Sequence, residues 1–197
     1  MQSQNIDKRT AILKAAMDLI AENGFHGSPT AMIAARAGVG TGTIYRYFID
    51  KDQLIQEVFK DVETRLNGVL MKDYPLNQSI RLRLYHYFTG LIGFFIANPM
   101  EFKFIGQFYD SPYGVALRRD KIFSQSTDNG YGCETIKSLF EKGIAEGVIK
   151  NLPIAILFAL FIGSLISATR DHILGFIEFD QQLLQQMADA CWDAIKC

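Results

Sequence analysis

Residues 41–48 read TGTIYRYF, and these eight positions hold four hydroxyls, on Thr41, Thr43, Tyr45 and Tyr47, and the guanidinium of Arg46. At helical pitch Ile44 and Phe48, four residues apart, share one side, so the polar groups largely face elsewhere. Hydroxyls and a guanidinium suit base edges and phosphate oxygens, and a tyrosine can donate to a phosphate while its ring packs on a sugar. The preceding residues, SPTAMIAARAG, provide what positions such a helix. Ser28 caps a first helix that carries Pro29 in its opening turn and ends near Ala37, and Gly38 permits the tight turn that follows. Ile33, Ala34, Ala37, Val39 and Ile44 are small or apolar where two short helices would cross steeply. An ordinary corner in a helical bundle would use the same small residues. The polar, aromatic outer face points instead to a second helix that enters the DNA major groove.

The longer run 24–54, GFHGSPTAMIAARAGVGTGTIYRYFIDKDQL, resembles the DNA-binding segment of TetR-type transcriptional regulators, most densely at AGVGTGTIYRYF with Lys51 and Leu54 beyond it. The resemblance implies an all-α homodimer of about nine helices. It comprises a three-helix DNA-binding head with a helix-turn-helix (6–50), a joining helix (51–70) and a larger effector-binding and dimerisation body (71–197). By position it implies that Thr30, Thr41, Gly42, Thr43, Tyr45, Arg46 and Tyr47 lie at the DNA and that Lys51 meets a phosphate. Ser28, at the start of the first helix, is grouped with them. Two positions depart from the family pattern: Ala31 stands where many relatives carry a basic residue, and Gly40 replaces the usual Ser or Thr cap.

Composition agrees with a folded, soluble regulator. The chain has 197 residues, 49% hydrophobic and 21% charged, which is enough for a substantial core. Its net charge of -1 hides an asymmetry, because residues 1–51 carry +2 and the remainder -3. A mildly basic head is what a DNA-facing end requires. Cys133, Cys191 and Cys197 form no CxxC or Cys/His pair at metal spacing, so free thiols in a reducing cytoplasm are expected, with no metal and no cofactor. The opening MQSQNIDKRT lacks the apolar stretch of a secretion signal.

Along the chain, Ile12, Ala15, Ala16, Leu19 and Ile20 mark a helix over 7–22 that stops at Asn23 and Gly24 and forms the floor under the helix-turn-helix. Phe25 is expected to plug the core and His26 to lie in an exposed loop. Asp50 with Gln53 three residues on predicts a capping box for the next helix, whose apolar stripe from Leu54 to Leu70 must stop before Pro75. That helix is the natural rod between head and body. Further helices are predicted over 76–97, from Pro99 to Phe108 or Tyr109, over 112–123, over 133–146, and over 180–195, with a loop at 124–132. Residues 151–169 carry no charge and just meet the length of a membrane span. A helix apolar all round is equally one buried on both sides, against its own core and a partner subunit. With 180–195, a helix over 153–174 could form a four-helix dimer bundle, where the resemblance places the family's dimer contact.

Fifteen Phe and eight Tyr make the chain rich in rings. Any one of them can be plain core. As a set, Phe88, Phe94, Phe104, Phe108, Tyr131 and Phe158, with Gly90 and Gly93 leaving room, predict an apolar pocket, with His86 and Gln107 as polar anchors. The expected protein is a cytoplasmic, ligand-responsive regulator, a repressor released from a palindromic double-stranded DNA operator by a small apolar or aromatic effector. The competing readings are a membrane-anchored sensor built on 151–169 and a helical enzyme using His86, Cys133 and Asp128, which lacks any local catalytic motif.

Overall fold

A computed structural model describes residues 2–123 and 135–197, with the side chains of 8–120 and 135–197. The described residues form ten helices and no strand, the all-α fold expected. In chain order they are α1 (Gln2–Asn23), α2 (Thr30–Arg36), α3 (Thr41–Tyr47), α4 (Lys51–Met71), α5 (Ile80–Ala97), α6 (Pro99–Tyr109), α7 (Pro112–Phe123), α8 (Ile136–Ala145), α9 (Ile154–Ile173) and α10 (Gln181–Ile195).

These helices divide into two compact units that do not follow chain order. The first joins Met1–Leu66 to Asn98–Ala116, and the second joins Asn67–Ala97 to Leu117–Cys197. In the first unit Ile12, Ala16, Leu19 and Ile20 of α1, Ile33 and Ala34 of α2, Ile44 of α3, and Leu54, Ile55, Val58 and Val62 of α4 are buried. Their 3- and 4-residue spacings put one apolar stripe of each helix inward. The helix α6 lies along α1, with Phe104 and Phe108 buried and Phe108 stacked on Phe59 at 4.2 Å. Arg65 of α4 pairs with the buried Glu101 in the first turn of α6.

Helix ends follow local chemistry. Half of the expected capping box at α4 is present, with Gln53 N–H donating to Asp50 Oδ1 at 2.7 Å, whereas Gln53 Oε1 accepts from Ile49 N–H at 2.5 Å, one residue before the cap. Gly38 adopts φ 66°, the left-handed turn between α2 and α3. One cap differs from expectation. Pro29, not Ser28, is the N-cap of α2, and the Ser28 hydroxyl donates backward to the Gly24 carbonyl at 2.8 Å.

In the second unit Leu84 and Phe88 of α5, Leu139 and Phe140 of α8, Leu157, Phe161 and Leu165 of α9, and Cys191 and Ile195 of α10 form the core. Phe88 meets Phe161 edge-on at 5.6 Å, and Phe140 meets Phe158 at 5.4 Å. The chain end is tied back by Lys150 N–H to the Ile195 carbonyl, 2.8 Å. Helix α9 contains a π-helical turn at Ala159–Gly163, and the Ser164 hydroxyl donates to the Leu160 carbonyl at 2.7 Å beside it. Within this chain only 22% of the most apolar window of α9 is buried, so the two-sided burial predicted for it is not reached by the chain alone. Ala155, Ala159, Gly163 and Ser167, spaced by four, are exposed on it.

Candidate nucleic-acid interface

Helix α3 is seated by Ile44 and Phe48, 0% and 2% exposed, which anchor its inner side. Its outer side is what the spacing predicted. Thr41, Gly42, Tyr45 and Arg46 are exposed, and Thr43 and Tyr47 are half-buried. The Tyr45 hydroxyl lies 3.4 Å from the Thr30 hydroxyl, so the first residue of α2 and the middle of α3 share one polar surface. The Arg46 guanidinium rests 5.4 Å from the Tyr47 ring centroid. A planar cation laid on an aromatic face keeps its donor edge available to a base or a phosphate. The N-cap of α3 is Gly40, which offers no side-chain bond, so this helix is held by its packing and not by a cap.

Two members of the predicted DNA-facing set are engaged inside the head. Ser28 is 0% exposed and its hydroxyl proton is used by Gly24, which removes its side chain from the outer surface. This corrects its grouping with the contact residues. Lys51 donates Nζ to the Phe25 carbonyl at 2.5 Å, and burial lowers its pKa from the ordinary lysine value. An ammonium has three donors, and one is committed here. His26 is exposed in the loop, as expected.

The predicted effector residues fare differently. Phe88, Phe94, Phe104 and Phe108 are sealed core rings, and none of them presents a free face. Gln107 donates to the Ala21 carbonyl at 3.3 Å, a bond inside the first unit that replaces its expected role as a ligand anchor. His86 Nε2 lies 2.8 Å from the Leu70 carbonyl, and Phe158 packs on Phe140. Gly90 does not leave room for a ligand, because an added Cβ there would lie 2.8 Å from Leu70 Cδ2. Tyr131, with Cys133 and Asp128, lies outside the described residues. The second unit has an open cavity of about 460 Å³ elsewhere, walled by Leu82, Tyr85, Phe161 and Trp192 and, on its polar side, by Ser79, Gln185 and an Arg81–Asp189 pair at 2.7 Å. Sequence reasoning missed it because its walls come from three helices far apart in the chain.

Residues 12–58 match the family described as bacterial regulatory proteins, tetR family, and residues 59–197 match the tetracyclin repressor-like C-terminal domain. The chain belongs to the TetR family of transcriptional regulators. A TetR family protein from Vibrio parahaemolyticus is 32% identical to this chain, covering 96% of it and 99% of that chain with a TM-score of 0.75. A TetR family regulator from Marinobacter aquaeolei VT8, 21% identical, shares the fold over 100% of this chain and 99% of its own, with a TM-score of 0.84. The fatty acid metabolism regulator protein of Bacillus subtilis (strain 168) is 45% identical over 58 residues, 29% of this chain and 30% of that protein. The chain spans less than half of the length of the first curated relatives it matches.

Proposed function

We propose that this TetR family member is a dimeric intracellular repressor that binds a palindromic DNA operator through α3 of each subunit and leaves it when a small apolar or aromatic effector binds the second unit. The outward polar face of α3, mounted on Ile44 and Phe48, carries the DNA-binding part of this reading. Thr30, Thr41, Gly42, Thr43, Tyr45, Arg46 and Tyr47 form the contact surface, and Lys51 meets a phosphate at the start of α4. In the dimer the α9 faces that carry Ala155, Ala159, Gly163 and Ser167 pack together with α10. Two recognition helices then stand about 34–36 Å apart, one duplex turn.

The effector part rests on the apolar walls of the cavity in the second unit. An effector coupling of about 1 to 3 kcal/mol lowers operator affinity roughly 5- to 150-fold, enough for release. The relative named a fatty acid metabolism regulator matches only 29% of this chain, so the effector class is argued from the cavity and not from that name. In a thermal-shift screen, apolar and aromatic ligands are expected to raise the melting temperature. A screen in which only polar ligands do so refutes this choice.

The DNA reading is tested by retardation of duplexes from upstream of the protein's own reading frame, across a salt series. Affinity should fall steeply with salt. Arg46→Ala should cost about 1–3 kcal/mol on the operator and relax preference at particular base pairs. Tyr45→Phe should weaken operator and random DNA alike. Equal losses on both duplexes for both variants would refute this division of roles.

A further inference from the structure

The corner between α1 and α2 is held from three other places, all within the first unit. Gln107 of α6 donates to the Ala21 carbonyl at 3.3 Å. Lys51, at the start of α4, donates to the Phe25 carbonyl at 2.5 Å. Tyr113 of α7 lays its ring against the Phe25 ring, with 5.6 Å between centroids, and donates its hydroxyl to Asp52 Oδ1 at 2.6 Å. Phe25 therefore carries Lys51 on its carbonyl and Tyr113 on its ring, while the residue after Lys51 holds the Tyr113 hydroxyl.

The turn that presents Tyr113 is tightly built. Ser111 is buried and donates to the Phe108 carbonyl at 2.6 Å. Gly114 lies so close to the same carbonyl that a Cβ there would collide with backbone. A turn fixed in this way sets where the Tyr113 hydroxyl can be. That hydroxyl meets an exposed carboxylate, a contact that core packing does not require. The bond to Asp52 pushes the phenol up to about 12, which shows that the neutral donor is favoured there.

We infer that Tyr113 is a positioning residue for DNA binding. By holding Asp52 and Phe25 it fixes the start of α4 against the α1–α2 corner, so that the Lys51 ammonium is presented to a phosphate. The inference rests on the DNA-binding reading above. It makes a side chain 62 positions beyond Lys51 in the chain part of the phosphate contact without touching the duplex.

The test uses the full chain and a duplex from upstream of its own reading frame, with a random duplex beside it. Tyr113→Phe keeps the ring on Phe25 and removes only the bond to Asp52. Affinity for both duplexes should fall roughly 3- to 10-fold, and the slope of log K against log salt should shrink by about 1, the signature of one lost phosphate contact. In a Lys51→Ala background the same change should have no further effect. The melting temperature, measured in parallel, should stay put, because the ring and its packing remain. Wild-type affinity for Tyr113→Phe, an unaltered salt slope, or the same loss with and without Lys51 overturns the positioning role while leaving the DNA reading intact. A wild-type protein that binds neither duplex overturns both.

Discussion

Gly163→Glu is expected to yield a folded monomer that no longer retards operator DNA. Gly163 sits at the end of the π-helical turn in α9, on the exposed row Ala155, Ala159, Gly163 and Ser167. Within the chain, a Cβ at Gly163 meets nothing within 4 Å. A side chain there consequently costs the subunit no clash, and any residue other than proline suits a helix better than glycine by up to about 1 kcal/mol. Row positions that carry almost no side chain let two helix backbones approach closely. A carboxylate placed in such a seam is buried unpaired, once from each subunit, at a cost of about 3–5 kcal/mol. Each 1.4 kcal/mol is tenfold, so the dimer constant should weaken at least about 100-fold. Sedimentation at micromolar concentration reads the mass directly, and a variant that remains dimeric rules out this face as the seam. The same helix, 20 residues with a mean hydropathy of 1.6, is long and apolar enough to cross a membrane. Recovery of the wild-type protein only with detergent would favour that use of the surface.

Phe48→Ala should be the most damaging single change in the head. The ring is 2% exposed, the Arg9 guanidinium lies 5.5 Å from its centroid, and its backbone N–H closes α3 on the Ile44 carbonyl at 2.9 Å. Emptying a buried phenylalanine site costs about 3–5 kcal/mol, a large share of the roughly 5–15 kcal/mol that holds a protein folded. For a chain of this size the melting temperature should drop by about 6–20 °C. DNA binding should fall with it below the transition, because α3 has seven residues and no side-chain cap to keep its angle. A drop of only a degree or two would mean that the recognition helix is seated by something other than this ring.

The head was legible for a physical reason. The Asp50 cap on Gln53 N–H, the left-handed turn at Gly38 and the inward pair Ile44 and Phe48 are each decided within four residues. Where the reading failed, the deciding partner lay elsewhere. Gln107 looked like a ligand anchor because nothing near it in sequence announces the Ala21 carbonyl. Gly90 looked like empty space, although the space belongs to Leu70. Ser28 looked like a cap, and its hydroxyl instead closes the preceding turn.

Helix positions, the all-α class and the outward chemistry of 41–48 were set by the amino-acid order alone, since periodicity, caps and turn residues act over one or two helical turns. Tertiary structure alone decided that α6 and the start of α7 group with the head, that four predicted pocket rings are core, and that Tyr113 reaches Asp52. Those outcomes depend on which helix faces meet. That choice is made by the shape and volume of the whole packed core, and no short window of sequence carries it.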